Sequence, residues 1–92
     1  MVEMPREEKV TRVIDGDTFE TGSRKNPVRL ANVDTPEKGT PGGAKAREAL
    51  ASLILGKEVS IDTKARDSYG RAVANVTLGG KSINKAMKRH EK

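Results

Sequence analysis

The sequence predicts a mainly β (α+β) domain, a five-stranded barrel with one helix between the third and fourth strands and a short C-terminal helix. Two observations support this fold class. Apolar and polar residues alternate in short segments that are bounded by Gly, Pro and Asp, as in strands separated by turns. Between the third and fourth segments, the apolar residues change to the spacing of a helix. The length of 92 residues indicates a single domain over 1–92.

Three strands are predicted in the N-terminal part, over Lys9–Ile14, Thr18–Thr21 and Val28–Val33. A tight turn at 15–17 separates the first two strands, and a loop over 22–27 separates the second from the third. The third strand is expected to end before Pro36, because proline has no N–H to donate to a neighbouring strand.

The predicted helix covers Ala44–Leu55, and Gly56 is suited to end it. Its apolar residues recur at helical spacing: Ala46, Ala49, Leu50, Leu53 and Ile54. A charged loop over Lys64–Arg71 is expected between a fourth strand around Val59 and Ile61 and a fifth strand over 72–78.

A glycine turn follows the fifth strand, and Ser82 is suited to cap the short last helix. Five short strands with a helix between the third and fourth are the layout of an OB-fold barrel.

The composition favours a polyanionic partner. The formal charge is +5 and the sequence pI is about 9.7, and each phosphate that a basic protein contacts releases counterions. On charge alone, a merely soluble basic surface is the alternative. The absence of cysteine excludes a disulfide framework and thiolate metal sites. Met1–Lys9 has mixed charge and no apolar run has membrane length. We therefore expect no membrane association and a cytoplasmic location, with a mature secreted form as the alternative.

Acidic residues in this basic chain are concentrated beside predicted strand ends. Asp15 and Asp17 flank a glycine after the first strand, and Asp34 and Glu37 follow the third. In a meander, such turns can meet at one end of a barrel, where carboxylate and carbonyl oxygens suit a hard cation. Ordinary turn chemistry is the alternative interpretation of each motif.

Two arginines stand in or beside predicted strands. Arg29 lies between Val28 and Leu30, and Arg71 precedes the fifth strand. A guanidinium group can bind two phosphate oxygens at once, which favours a phosphate site, although pairing with a carboxylate is the alternative.

Several stretches in this order closely resemble the signature of the staphylococcal nuclease (thermonuclease) family. They are Val13–Thr18, Val28–Leu30, Val33–Glu37, Asp67–Arg71, the Gly79-Gly80-Lys81 turn and Ile83–Ala86. The resemblance implies an OB-fold nuclease that uses Ca²⁺ to hydrolyse phosphodiester bonds of DNA and RNA, with single strands favoured. A monomer is expected.

The resemblance also implies roles for individual residues. Asp17 and Asp34 match the calcium-binding carboxylates, and Thr35 matches the residue whose backbone carbonyl binds the ion. Asp15 and Thr18 occupy neighbouring positions, where they would support the ligands.

Four further residues match the parts of the family site that act on the phosphate. Glu37 matches the glutamate that positions or deprotonates the attacking water. Arg29 and Arg71 match the pair that binds the scissile phosphate, and Tyr69 matches a tyrosine that donates a hydrogen bond to a substrate phosphate.

The chain also departs from the family. Ser68 stands where relatives often have lysine, no aromatic residue follows Tyr69 in this sequence, and we expect the domain to lack the family's further C-terminal helix. Weak substrate affinity and little base preference are therefore expected, because stacking on an aromatic ring contributes about 1–3 kcal/mol per base. Two alternatives to catalysis are a non-catalytic nucleic-acid-binding OB-fold module and a small basic scaffold protein.

Overall fold

The computed structural model describes residues 6–36 and 38–91. Its strands are β1 Arg6–Asp15, β2 Thr18–Thr21, β3 Val28–Leu30, β4 Glu58–Arg66, β5 Ala72–Leu78 and β6 Lys81–Ser82. Helix α1 covers Pro41–Ile54, between β3 and β4, and helix α2 covers Ile83–Lys88, after β6. The helix predicted between the third and fourth strands and the short C-terminal helix are thus confirmed.

Strands β1 to β5 close into a ring. Antiparallel pairs join them in the order β3-β2-β1-β4-β5, and a parallel pairing of β3 with β5 connects the two ends. In that closing pair, Val28 lies opposite Ala72 and Leu30 opposite Ala74. The two-residue strand β6, which the sequence did not predict, pairs with β5 outside the ring. The prediction of a five-stranded barrel is confirmed.

Strand β3 is shorter than predicted, ending at Leu30 rather than Val33. The backbone of Asn32 has a φ of 59°, a left-handed conformation that an extended strand does not contain. The Ala31 N–H still donates to the Ala74 carbonyl at 2.8 Å. The chain then leaves the barrel, so residues 33–36 reach α1 as an irregular segment.

Strand β4 is longer than predicted and runs to Arg66, which leaves only 67–71 as the connecting loop. A register shift between Thr63 and Ala65 marks a bulge, beyond which β4 continues to pair with β5. Main-chain pairing extends this strand although its side chains over 63–66 are exposed. Exposed, charged residues give no alternating pattern, which is why the sequence indicated a loop.

Helix α1 begins at Pro41, three residues before the predicted start, because Thr40 acts as its N-cap. The Gly43 N–H donates to the Thr40 hydroxyl at 3.0 Å, and proline suits the first helical position, where its missing N–H costs nothing. Leu55 follows the helix and is half exposed.

The core fills the ring and the space beneath both helices, and it is almost entirely aliphatic. Phe19 is its only aromatic residue among those that the structure describes, since the Tyr69 side chain is 81% exposed. Helix α1 buries Ala46, Leu50 and Ile54 on one face, at intervals of four residues. Neither described helix combines the length and apolarity that crossing a membrane requires.

A buried carboxylate, Glu8, holds the β2–β3 loop. It accepts hydrogen bonds from the hydroxyls of Thr21 and Ser23, each at 2.8 Å, and both its oxygens lie 2.9 Å from Nε of Arg24. Burial acts to raise the pKa of Glu8, but the hydrogen bonds and the Arg24 charge outweigh it and lower that pKa below its ordinary value. The ionised, hydrogen-bonded carboxylate of Glu8 therefore fixes the first half of this loop.

A buried amide, Asn84, ties α2 to the barrel. Its side-chain oxygen accepts from the Val76 N–H at 2.8 Å, and its side-chain nitrogen lies 3.0 Å from the carbonyls of Ala31 and Ala74. Asn84 belongs to α2, and its amide therefore connects this helix to strand β5 and to the segment that follows β3. The sequence presented Asn84 only as part of a helix start.

Candidate active site

The turn between β1 and β2 presents a buried aspartate. The Asp17 N–H donates to the Asp15 carboxylate at 3.0 Å, and the Thr18 hydroxyl donates to the Asp17 carboxylate at 2.9 Å. The Asp17 carbonyl in turn accepts from the Leu30 N–H at 2.8 Å. Both neighbours that the sequence singled out, Asp15 and Thr18, therefore contact Asp17 and fix its orientation.

The surroundings of Asp17 disfavour its negative charge. Burial raises its pKa, and the hydrogen bond and negative charge of Asp15 raise it further, while the Thr18 hydroxyl and the Arg29 guanidinium act in the opposite direction. Arg29 Nη2 lies 3.6 Å from Asp17 Oδ2. Two carboxylates on one turn, one of them buried, make a place where an added cation would be favourable.

Arg29 connects this turn to the segment that precedes Asp34. Its Nη2 donates to the Val33 carbonyl at 3.3 Å, and its Nη1 lies 3.5 Å from the Leu30 carbonyl. The Arg29 side chain is partly exposed, so it retains an open side. The barrel thus brings Asp17 and Arg29 together, and this contact is the pairing with a carboxylate that was the alternative to a phosphate site.

Thr35 lies directly against the β1–β2 turn. A Cβ atom added to Gly16 would stand 2.6 Å from the Thr35 hydroxyl oxygen and 2.5 Å from Cβ of Ala46. Thr35 is buried, and its hydroxyl oxygen has no hydrogen-bond partner within the described residues. Asp34 is exposed, and its N–H donates to a carboxylate oxygen of Glu91 at 3.1 Å. The segment 34–35 therefore passes close to the Asp17 turn.

Gly16→Ala is expected to lower the free energy of unfolding by about 1–3 kcal/mol, because the added methyl overlaps Ala46 and Thr35 in a packed interior. Urea denaturation of the two proteins measures the difference. Gly22→Ala is the matched control, since its added methyl would meet only Thr11 Cγ2, at 3.5 Å. Equal stabilities of Gly16→Ala and the unchanged protein would show that the turn is not packed against Thr35.

The loop 67–71 holds Arg71 through Asp67. The Asp67 carboxylate accepts from the N–H groups of Tyr69 and Arg71 at 3.0 and 2.9 Å, and also from Nε of Arg71. Residual desolvation acts to raise the pKa of Asp67, but the hydrogen bonds from Arg71 and Tyr69 lower it. The guanidinium carbon of Arg71 lies 5.4 Å from the centre of the Tyr69 ring, within the range of a cation–π contact.

The register of the closing strand pair relates Arg71 to Arg29. Val28 lies opposite Ala72 and Arg29 opposite Val73, so Arg71 stands at the entry of β5, beside the β3 strand that carries Arg29. Arg29 and Val73 alternate with buried neighbours, and therefore face outward from the barrel. Asp67 was not among the predicted site residues. An aspartate four residues before Arg71, with Gly70 between them, was the available signal.

The oxygen donors of this region fit a hard cation such as Ca²⁺. The ligands that the sequence predicted, the Asp17 and Asp34 carboxylates and the carbonyl of Thr35, are all oxygen donors, without sulfur or imidazole. Across residues 6–36 and 38–91, no three acidic, histidine or cysteine side chains are grouped closely enough to hold an ion alone. Two protein carboxylates would leave coordination positions for water and a substrate phosphate. The prediction for Glu37 lies outside the described residues.

Comparison with known proteins decides the family. The sequence profile of staphylococcal nuclease homologues matches residues 27–90. The chain belongs to the staphylococcal nuclease family. The matched range contains the third strand, both helices and the Asp67–Arg71 loop.

Three relatives illustrate the extent of the similarity. The chain is 43% identical over 70 residues to protein ParB of Escherichia coli, covering 74% of this chain and 40% of that protein. It is 38% identical over 84 residues to an uncharacterized endonuclease of Escherichia coli O157:H7, covering 88% and 55%. It is 40% identical over 70 residues to a micrococcal nuclease of Shigella flexneri, covering 74% and 40%. The chain thus spans about half the length of these relatives.

Proposed function

We propose that this domain is a calcium-dependent nuclease that hydrolyses phosphodiester bonds of DNA and RNA. The observation that carries the proposal is the arrangement around Asp17, a buried carboxylate beside a second carboxylate, with Arg29 3.6 Å away. Family membership and the names of the relatives, two of which are called nuclease or endonuclease, support it.

In this proposal, Asp17, Asp34 and the Thr35 carbonyl hold the ion. Bound Ca²⁺ supplies positive charge that polarises a phosphoryl oxygen. Asp15 and Thr18 act through Asp17, since Asp15 accepts a hydrogen bond from the Asp17 backbone N–H and Thr18 donates one to the Asp17 carboxylate. Burial and the neighbouring Asp15 raise the pKa of Asp17, so a bound cation would favour its ionised form.

The remaining residues act on the phosphate and the water. Arg29 and Arg71 bind the nonbridging oxygens and stabilise the charge that they gain in the transition state. Glu37 accepts a proton from the attacking water. Tyr69, whose hydroxyl is on an exposed side chain, donates a hydrogen bond to a phosphate of the substrate. Placement and charge stabilisation are what phosphodiester hydrolysis chiefly requires from a protein.

Nucleic acid in single-stranded form is the proposed substrate. A net charge of +5 favours binding to the phosphate backbone, and Tyr69 is the only exposed aromatic residue in the described part of the chain. With one ring available, binding depends mainly on charge and discriminates little between bases.

Cleavage of denatured DNA and RNA, followed on gels with added Ca²⁺ or with a chelator, tests the proposal. We expect cleavage only with Ca²⁺, and Asp17→Asn should raise the Ca²⁺ concentration for half-maximal cleavage by about tenfold or more, since one charged ligand is lost. Asp62→Asn is the control, because that carboxylate pairs with Lys64 on β4. Binding without cleavage, unaffected by Ca²⁺, would overturn the enzyme proposal and indicate a nucleic-acid-binding module.

A further inference from the structure

Two loops that are far apart in the sequence lie side by side at one end of the barrel. The side-chain nitrogen of Asn26, in the β2–β3 loop, donates to the Gly70 carbonyl at 3.3 Å. Arg66 Nη1 donates to the same carbonyl at 3.2 Å. The Ala72 N–H also donates to the Pro27 carbonyl, at 3.3 Å. These contacts connect the loop 22–27 to the end of β4 and to the loop that presents Tyr69 and Arg71.

A small cleft lies between these loops. Its volume is about 190 Å³, and it is lined by Arg24, Lys25, Asn26 and Arg66. This volume is below the roughly 300–1,000 Å³ of pockets that hold drug-sized ligands. The cleft therefore suits a compact group rather than a whole metabolite. Its arginine and lysine side chains carry only hydrogen-bond donors, and the Asn26 side-chain nitrogen, which donates one N–H to the Gly70 carbonyl, has a second N–H to donate.

The charge of the cleft is positive. Arg24 is balanced, since its guanidinium is paired with the buried carboxylate of Glu8 at 2.9 Å. Lys25 and Arg66 are exposed, and no carboxylate of residues 6–36 or 38–91 lies within ion-pair distance of either. Glu8, with its hydrogen bonds to the loop 22–27, thus neutralises Arg24 and fixes the loop. Lys25 and Arg66 are both left facing solvent.

The cleft is lined by residues that are close along the chain to residues of the proposed active site. Gly70, which receives both hydrogen bonds, is the residue between Tyr69 and Arg71. On the other side, Lys25 precedes Arg29 by four residues, a span of at most about 14 Å. A strand bound at Arg29 and Arg71 can therefore reach the cleft with a neighbouring part of its own backbone.

We infer that Lys25, Asn26 and Arg66 form a second phosphate-binding site, which binds a backbone phosphate of the substrate strand away from the scissile bond. The inference rests on the proposed function, because the substrate strand is the nucleic acid that Arg29 and Arg71 are proposed to bind. Asn26 and Arg66 are already held by the Gly70 carbonyl, so little side-chain freedom is lost when the phosphate binds. The cleft recognises the backbone and no particular base.

The test measures the salt dependence of binding to an oligothymidylate of about a dozen nucleotides, in the presence of chelator. Log K falls linearly with log salt concentration, with a slope of about −0.7 for each single-strand phosphate contact. Lys25→Ala combined with Arg66→Ala should make the slope shallower by about 0.7, since the contact with one phosphate is removed. Arg66→Lys alone should retain most of the slope, because the charge remains.

The matched control is Lys57→Ala combined with Lys88→Ala, two exposed cations in the α1–β4 turn and at the end of α2. It changes the net charge equally and should leave the slope near its original value. Equal losses in both double variants would assign the effect to net charge, and an unchanged slope in the cleft variant would exclude the second site. Either result overturns the inference.

Failure of the inference and failure of the proposed function are distinguishable. The binding measurement uses chelator, so it requires no cleavage and remains readable if the domain is not a nuclease. Conversely, Ca²⁺-dependent cleavage together with an unchanged binding slope in the cleft variant would support the nuclease proposal and exclude only the phosphate site in the cleft.

Discussion

Replacement of Arg29 by lysine is expected to lower the rate constant of phosphodiester cleavage by about 10²–10³-fold, the loss typical when one preorganised donor to a transition-state oxygen is removed. Lysine keeps the charge but cannot bind two oxygens at fixed geometry. Nor can it contact Asp17 and the Val33 carbonyl with one planar group, as Arg29 does. Single-turnover cleavage at saturating protein separates this loss from weaker binding.

Arg47→Lys is the control for this prediction, because Arg47 is exposed on α1 and makes none of the hydrogen bonds or ion pairs described for the site. Its rate should equal that of the unchanged protein. Urea denaturation of Arg29→Lys confirms that the variant remains folded under the assay conditions. A folded Arg29→Lys protein with unchanged single-turnover rate would contradict the assignment of Arg29 to the transition state.

The largest expected effect on stability comes from Glu8→Gln, about 3 kcal/mol. The substitution removes the negative charge that balances Arg24, whose side chain is only 18% exposed, and breaking a buried ion pair leaves the other charge uncompensated. It also replaces an acceptor of several hydrogen bonds by a group with one acceptor oxygen. For a domain of this size, such a loss is a large part of the total free energy of unfolding.

Urea denaturation at neutral pH measures the loss, and Glu20→Gln is its control. Glu20 pairs with Arg12 at 3.4 Å on the surface, where ion pairs contribute at most about 1 kcal/mol. A similar loss in both variants would mean that the Glu8 network is no stronger than a surface pair.

The same network predicts a dependence on pH. The folded-state pKa of Glu8 lies below the ordinary glutamate value of 4.5, so its contribution to stability is complete above that value. The contribution is lost as the pH falls through the lower folded-state pKa. The difference in stability between the unchanged protein and Glu8→Gln should therefore shrink as the pH is lowered below about 4.5. A constant difference over this range would contradict the assignment.

The sequence predicted the barrel well because the residue patterns that mark its strands and its helix each lie within one short segment of the chain. Strand β2 is marked by Phe19 between two turns, and the helix between the third and fourth strands carries a periodic apolar pattern, and both were recovered. The shortening of β3 depends on the left-handed backbone of Asn32. Asparagine adopts this conformation more often than most residues, but its presence alone does not mark the end of a strand. The extension of β4 to Arg66 depends on pairing with β5, a contact that the exposed residues of β4 do not encode.

The candidate site was predictable only in part, and for a similar reason. The Asp17 turn and Arg29 could be proposed from motifs, and the fold places them 3.6 Å apart. Asp67 was missed because its role is to hold Arg71, a role that no catalytic pattern marks. The hydrogen bonds of Glu8 and Asn84 join residues more than seven positions apart, so only the folded chain shows them.

The parallel pairing of β3 with β5 also has a consequence for the order of folding. Its partners, such as Val28 and Ala72, are separated by more than forty residues, so the entropy of closing a long loop opposes this step. Until β5 is synthesised, β3 has one unpaired edge, which can associate with other chains. Arg29 and Arg71 are brought together by this late step. A ribosome-bound chain that has not yet exposed β5 therefore lacks the strand that pairs with β3, and Arg71, which precedes β5, does not yet stand beside the strand that carries Arg29.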